Sequence, residues 1–509
     1  MTRSTLRFAV FTAAIAAACT LVLRASDAIT SGDAEVQLQL GNLFSEETRY
    51  PEAFQAFDKA THAEDRALAL RARKGKVKTA LRLARFDTAR LEAETLRKDA
   101  PADSEAITLY GDSLWSSGLF DEADAIYRDV LARNPGSSRA RFGVARSHAT
   151  RSQLDQALNE ALTAVAAAPR DGEIHATIGD IYERLGRFDE AANAYTNFIN
   201  LLPNKDRSDK AAWSRAQVRF LEAFQGKIPV DVDPEDLRSL HTVPFRLVKD
   251  KIVVEARVNG GSRQDFVLDT GSEETVVSRE TAQRQGVQPI TYTLSAGVGE
   301  VGLRGLQLAR VNSLDIGTLQ VRNLPVLIKN PALRGIPKRE GESFSPLSLG
   351  MSMAIDYKQR LLTIGHDMPD VGADFRLPMR VHRLAMVRGL VNSTKPAYFV
   401  VDTGGEVISI STDLADQLTA PSAEVAAYRR IPLKVYGTSG WDRDAFLLAG
   451  QSLDFDRIEY RNFPLVVLNL RAPSALLGFQ LGGIIGHKFL SGYRVTMDLA
   501  RSELRLQKS

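Results

Sequence analysis

Two aspartates, Asp269 and Asp402, sit in matching local sequences. Asp269 lies in Phe266-Val267-Leu268-Asp269-Thr270-Gly271-Ser272, and Asp402 in Phe399-Val400-Val401-Asp402-Thr403-Gly404-Gly405. Each aspartate ends a short apolar run, the pattern of a buried strand. The glycine two residues on permits a sharp turn that presents the carboxyl group. Backbone N–H groups at such a turn can bind the carboxyl oxygens, and the threonine hydroxyl is short enough to bond across to an opposite loop. If the two loops meet, their carboxyls lie too close for both to ionise cheaply, so they share a proton and titrate as a unit. One then serves as general base towards a water held between them, and the other, protonated, as general acid towards a carbonyl oxygen. This chemistry needs no metal, cofactor or covalent nucleophile.

The loops belong to a longer duplication. Val258-Asn259 is echoed by Val391-Asn392, and the offset of 133 residues persists without a gap to Val277-Ser278 against Ile410-Ser411. Further on, Ser313-Leu314-Asp315 and Arg322-Asn323-Leu324-Pro325 match Ser452-Leu453-Asp454 and Arg461-Asn462-Phe463-Pro464. Ile355-Asp356, Leu362 and Ile364 match Met497-Asp498, Leu504 and Leu506. The whole stretch reads as short strands punctuated by Gly, Pro, Asn and Asp. It divides into halves at 242–370 and 371–509, which the duplication places about a pseudo-two-fold axis where each aspartate meets its twin.

With these motifs in view, residues 242–509 resemble a retropepsin-like aspartic protease in tandem, a single-chain pepsin-like arrangement. Aspartic proteases are the standard example of a carboxyl pair sharing one proton. The resemblance rests on the two Asp-Thr-Gly segments and on Ile484-Ile485-Gly486, an apolar-apolar-Gly segment that in the family packs behind the aspartate loop. It implies two closed β lobes around a cleft for an extended peptide, with catalysis by Asp269 and Asp402. Thr270, Gly271, Ser272, Thr403, Gly404 and Gly405 would form the supporting loops. It also implies β-hairpin flaps, placed by position at Gly297 and Gly299 in the first half and at Tyr436, Gly437 and Trp441 in the second. Two departures stand out. Gly405 occupies a place where Ser, Thr or Ala is commoner, which removes a hydrogen bond to the outer oxygen of Asp402. The first half also offers Leu347-Ser348-Leu349-Gly350 as its apolar-apolar-Gly segment, about six residues nearer its next aspartate than the counterpart.

Residues 33–225 repeat with a different period. Ala89, Ala123, Ala157 and Ala191 are 34 residues apart, as are Pro101, Pro135, Pro169 and Pro203. Gly111, Ala145 and Gly179 keep the step, and Tyr127, Ala161 and Tyr195 follow it. Small residues let paired helices approach, and each proline ends a helix that cannot continue through it. About five such units, including a slipped one around Gly41, Ala53, Phe57 and Ala60, resemble tetratricopeptide repeats. Their architecture implies a solenoid whose concave face takes a peptide or protein partner. The expected fold class is therefore an all-α tetratricopeptide solenoid followed by an all-β double-lobed aspartic protease fold. Residues 226–241, with two prolines and alternating charge, read as the linker.

Arg3 and Arg7 precede an apolar run from Phe8 to Leu23, with Ser26 and Ala28 after it. This is the pattern of a secretory signal peptide over 1–28, and it predicts an exported, periplasmic or secreted protein. An uncleaved anchor, or lipidation at Cys19, is the less favoured expectation. Cys19 is the chain's single cysteine, so the mature protein would have neither disulfides nor thiolate chemistry. With 65 basic against 62 acidic residues and 44% hydrophobic residues, the chain is neither disordered nor charged for nucleic acid. Gly297–Gly302 matches a dinucleotide pattern but has no helix after it. No H-E-x-x-H or G-x-S-x-G occurs. Asn392-Ser393-Thr394 is a formal glycosylation sequon. The expected partners are a protein or peptide substrate and a repeat ligand, with no membrane span after leader removal. A non-catalytic peptide-binding scaffold is the alternative.

Overall fold

The computed structural model describes residues 30–206, 208–298, 303–329, 341–419, 430–437 and 440–508. The expected leader, Cys19 and the flap residue Gly299 lie outside them. The chain forms two compact units, Met1–Leu114 and Trp115–Ser509, and the division falls inside the helix Ser104–Ser116.

The first unit is built of antiparallel helices, Ser31–Glu46, Tyr50–Ala60, Arg66–Arg82 and Phe86–Asp99, before Ser104–Ser116 begins. Thr30 and Asp65 cap two of them by accepting from Asp33 N and Ala67 N. The ring of Phe57 lies so close to Gly41 and Gly75 that a Cβ would fall 2.6 and 2.5 Å from it. This is why those positions are small.

The second unit opens with the same motif. Helices Phe120–Arg133, Ser138–Thr150, Leu154–Ala167, Gly172–Arg184 and Phe188–Leu201 alternate, and Asp209–Glu222 closes the array. Tyr127 faces Gly143, and Tyr195 faces Gly179. Pro135, Pro169 and Pro203 each stand two residues beyond a helix end. Gly118, Ser152 and Gly186, in the short turns before Phe120–Arg133, Leu154–Ala167 and Phe188–Leu201, all have positive φ.

Two large sheets follow. In the first lobe, Gln264–Leu268 runs between Lys251–Val258 and Glu342–Phe344. In the second, Lys395–Val401 runs between Leu384–Val391 and Gly483–Ile485. The lobes share a layer. Ser352–Asp356 pairs antiparallel with Tyr493–Asp498 through Met353↔Met497, Ala354↔Thr496 and Ile355↔Val495. These are the end segments that the duplication relates to each other. One apolar core runs through both lobes, including Phe266, Phe344, Phe399, Ile485, Met353 and Met497.

The expected linker is instead built into the first lobe. Asp231–Val232 pairs with Arg322 and Val321 at the sheet edge, and Asp231 accepts a 2.8 Å ion pair from Arg322. Asp233 caps the short helix Pro234–Leu237, and His241 starts a strand of the shared layer. The alternation Val230-Asp231-Val232-Asp233 is equally an edge-strand pattern, and an edge tolerates nearby proline.

The repeats after Trp115 pack against both lobes. Phe120 stacks on Tyr398 and Phe479, with centroids 4.8 and 5.1 Å apart. Arg380, 3% exposed, donates to Asp121 and Asp124 and to the hydroxyls of Ser147 and Thr150. On the other lobe, Phe188, Tyr195, Phe220 and Phe224 form a cluster with Leu308, Ile290 and Leu327. Trp213 Nε1 donates to Thr293 Oγ1 at 3.3 Å. Arg380→Met should lower stability by about 2 kcal/mol, because the buried carboxylate of Asp124 loses one charged donor and keeps Arg151. Denaturant melts checked against Asp124→Asn and the double variant test this: in the cycle, the double variant should lose less than the sum of the singles.

Candidate active site

Each aspartate follows the last residue of a central strand, and its backbone is fixed from behind. Asp269 N donates to Phe344 O at 2.9 Å, and Asp402 N to Ile485 O at 3.0 Å. The strands below pair in the same way, Phe344 with Leu268 and Ile485 with Val401. The counterpart of Ile484-Ile485-Gly486 is therefore Ser343-Phe344-Ser345, not Leu347-Ser348-Leu349-Gly350. The latter forms the short helix Pro346–Leu349 and its left-handed cap at Gly350. With the twins matched this way the spacing discrepancy shrinks to one residue: Ser345 is eleven residues before Asp356, and Gly486 twelve before Asp498. Serine stands at the position equivalent to Gly486, and Ser345 Oγ donates to Ser272 O at 2.6 Å. A Cβ at Gly486 would instead meet the backbone of Glu406 and Val407.

The two loops are tied across the axis by fully buried threonines. Thr270 Oγ1 donates to Val401 O at 2.6 Å and accepts from Thr403 N at 3.0 Å. Thr403 Oγ1 donates to Leu268 O at 2.7 Å and accepts from Thr270 N at 3.2 Å. Gly271 N donates to Asp269 Oδ1 at 3.1 Å and Gly404 N to Asp402 Oδ1 at 2.8 Å. Each glycine also lies against the opposite acid. A Cβ at Gly271 would fall 2.5 Å from Asp402 Oδ1, and one at Gly404 would fall 2.5 Å from Asp269 Oδ1.

The structure thus brings Asp269 and Asp402 together at the loop crossing, where a Cβ at Gly404 would touch the carboxyls of both. Burial, then the charge of Asp402, pushes Asp269 up to about 7. Burial also pushes Asp402 up, against the backbone N–H groups of Gly405 and Gly404 that favour its charge. The pair therefore holds a proton where a free aspartate would not. Ser272 turns its hydroxyl to Glu274 O at 2.8 Å rather than to Asp269, so Gly405 forgoes no bond that its twin makes. A Cβ at Gly405 would stand 2.8 Å from Asp402 Oδ2.

A cleft of about 1640 Å³ is lined by Asp269, Gly271, Ser272 and Gly404. Tyr436 and Gly437 line it too, on the hairpin Val435–Gly437 and Gly440–Asp442. A Cβ at Gly437 would run into the carbonyl of Val298, which follows Gly297, so the second-half hairpin packs against that segment of the first half. Trp441 does not line the cleft; it packs on Tyr436 with ring centroids 5.2 Å apart and is 40% exposed.

Two features of the cleft had no signal in the sequence. Its wall includes repeat residues, among them Glu183, Tyr195 and Trp213. Burial pushes Glu183 up to about 7, and it accepts from Gln217 Nε2 at 2.6 Å and Tyr195 Oη at 3.2 Å. Glu274 beside it is also raised, by burial first. The second feature is Lys251, whose Nζ donates to Gly404 O. Among the described residues no group of three or more His, Cys, Asp or Glu is arranged to hold a metal ion.

The aspartyl protease family profile matches residues 254–353, within the first lobe. The tetratricopeptide repeat profile matches 74–138, 108–172 and 145–197. No curated protein matches the chain. Among solved structures, a thermophilic tetratricopeptide protein of Thermus thermophilus is 19% identical. That match covers 36% of this chain and 98% of the other, with a TM-score of 0.31. MamA of Desulfovibrio magneticus RS-1 is 17% identical over 34% of this chain and 97% of its own, with a TM-score of 0.25. YrrB, described as a repeat protein with an unusual peptide-binding site, is 19% identical over 34% and 88%, with a TM-score of 0.22. The profile matches and the architecture together fit a tetratricopeptide repeat region followed by an aspartyl protease domain.

Proposed function

We propose that the protein is an aspartic endopeptidase that hydrolyses peptide bonds with a water activated between Asp269 and Asp402. The observation that carries this reading is the cross-bonded pair of Asp-Thr-Gly loops, with both carboxyls raised and Asp269 lining the cleft. The ionised carboxyl takes a proton from the water as it attacks the peptide carbonyl. The protonated one donates to the carbonyl oxygen, and the tetrahedral intermediate collapses with protonation of the leaving nitrogen. The flaps bind the peptide backbone and exclude water. The repeats recruit a protein or peptide partner, a reading supported by their profile match. Export of the mature domains, with a leader over 1–28 and lobes dividing near 370, rests on the sequence pattern. Among the described residues no helix is long and apolar enough to cross a membrane.

Incubation with a proteome-derived peptide library in 18O-water tests the proposal. New C-termini should carry one 18O, inserted by direct water attack. A library left uncut from acid to neutral pH would leave the non-catalytic scaffold in its place.

The raised carboxyls also set a pH dependence. A carboxyl with a higher pKa folded than unfolded binds more protons in the folded state between the two values. Its stabilising effect is present at low pH and is lost as pH rises from near 4 towards about 7. Activity should fall above about 7, where the pair gives up its shared proton. Melting temperature should fall across the same window, and less so in Asp269→Asn. A melting curve flat in pH would contradict the raised pair.

A further inference from the structure

We propose that Lys251 makes the two aspartates unequal, holding Asp402 as the carboxylate base and leaving the shared proton on Asp269. The inference rests on the assignment of these two aspartates as the reacting pair. The offset of 133 places Leu384 at the twin position of Lys251, so this ammonium has no counterpart across the axis. Both residues lie at hairpin tips. Lys251 pairs with Val248 across the turn Lys249-Asp250, and Leu384 pairs with His382 beside Arg383. Each tip reaches the loop of the other lobe, but with different chemistry. Arg383 is committed to Glu273, Nε to Oε2 at 2.7 Å. The twin of Glu273 is Glu406, which takes its cation from Lys488 at 2.7 Å. Lys251 is thereby left to donate to Gly404 O.

That carbonyl belongs to the peptide whose N–H, on Gly405, favours the charged form of Asp402. An ammonium on the oxygen of a peptide strengthens the hydrogen bond its N–H donates. Through space Lys251 favours the charge of both aspartates; through the 404–405 peptide it acts on Asp402 alone, as a positioning residue. Asp402 Oδ1 accepts from Gly404 N at 2.8 Å, and the Gly405 N–H, which donates to the Asp402 backbone carbonyl at 3.3 Å, further favours its charge, whereas backbone donation to the Asp269 carboxyl comes from Gly271. Gly405 is part of the device, because a side chain there would press on Asp402 Oδ2. The other groups facing Lys251 are Asp250 on its own hairpin, Glu406, and His487 and Lys488 on the helix His487–Leu490. Tyr357 packs on His487. His487 is pushed down by burial and by Lys251.

The test is carboxyl 13C titration of the full chain, with Asp269→Asn and Asp402→Asn assigning the signals, in wild type, Lys251→Met and Lys251→Arg. Wild type should ionise Asp402 first. Lys251→Met should move that step up by about one pH unit, and Lys251→Arg should restore most of it. Gly405→Ala, melted alongside to show that it folds, should reproduce the methionine shift with Lys251 in place. The acid limb of kcat/KM should move with the titration. A Lys251→Met curve superimposed on wild type, or Asp269 ionising first, would overturn the inference. The titration needs no turnover, so a shifted pair in a protein that cleaves nothing would sink the endopeptidase reading and leave this one standing.

Discussion

Asp269→Asn and Asp402→Asn should each reduce peptide cleavage by about a thousandfold or more, the scale expected for loss of a positioned acid or base. The double variant should be little worse than either single one, because the two carboxyls act as one unit and such losses do not add. Fold should survive. An amide is close in shape to a carboxyl and removes one of two like charges buried together, so melting at neutral pH should hold or rise. The comparison that matters pairs initial rates with melting curves on the same preparations. Cleavage persisting in the double variant would place the chemistry elsewhere. Loss of rate accompanied by unfolding would make the aspartates structural.

Gly271→Ala and Gly404→Ala should each cost about a hundredfold or more in kcat/KM and about 2 kcal/mol in stability. The physical reason is the crossing of the loops. Each added Cβ lands 2.5 Å from the Oδ1 of the opposite aspartate. The loop cannot back away, since Thr270 and Thr403 hold it by four bonds. Either the pair separates or those bonds break. Gly372→Ala is the control: nothing stands within 4 Å of its Cβ, and both rate and stability should be unchanged. Full activity in Gly404→Ala would mean that the two loops do not meet as described.

Much of this site was legible from local sequence. An apolar run ending in Asp-Thr-Gly specifies a strand and a turn through near neighbours, and its repetition 133 residues later carries the lobe register with it. A strand's faces alternate every second residue, so an ungapped match keeps corresponding side chains on corresponding faces. The 34-residue step likewise marked the helix pairs, because small residues and prolines act within one turn or one neighbouring helix. Ser343-Phe344-Ser345 carries no such local mark. Its identity is defined by parallel pairing with Gln264–Leu268, and no composition rule reports a strand of three residues whose partner lies far back in the chain.

What sequence alone determined about this protein is its set of parts: helix pairs, a doubled β lobe and two acids at equivalent turns. Tertiary structure decided what surrounds those acids. Lys251 meets Gly404 from 153 residues away, Arg380 meets Asp121 from 259, and Glu183 on a repeat helix joins the cleft wall. None of these pairs has a spacing that recurs or a local pattern to read. They exist because packing the repeats onto the lobes buries charges, and a buried charge must find a partner wherever the fold supplies one.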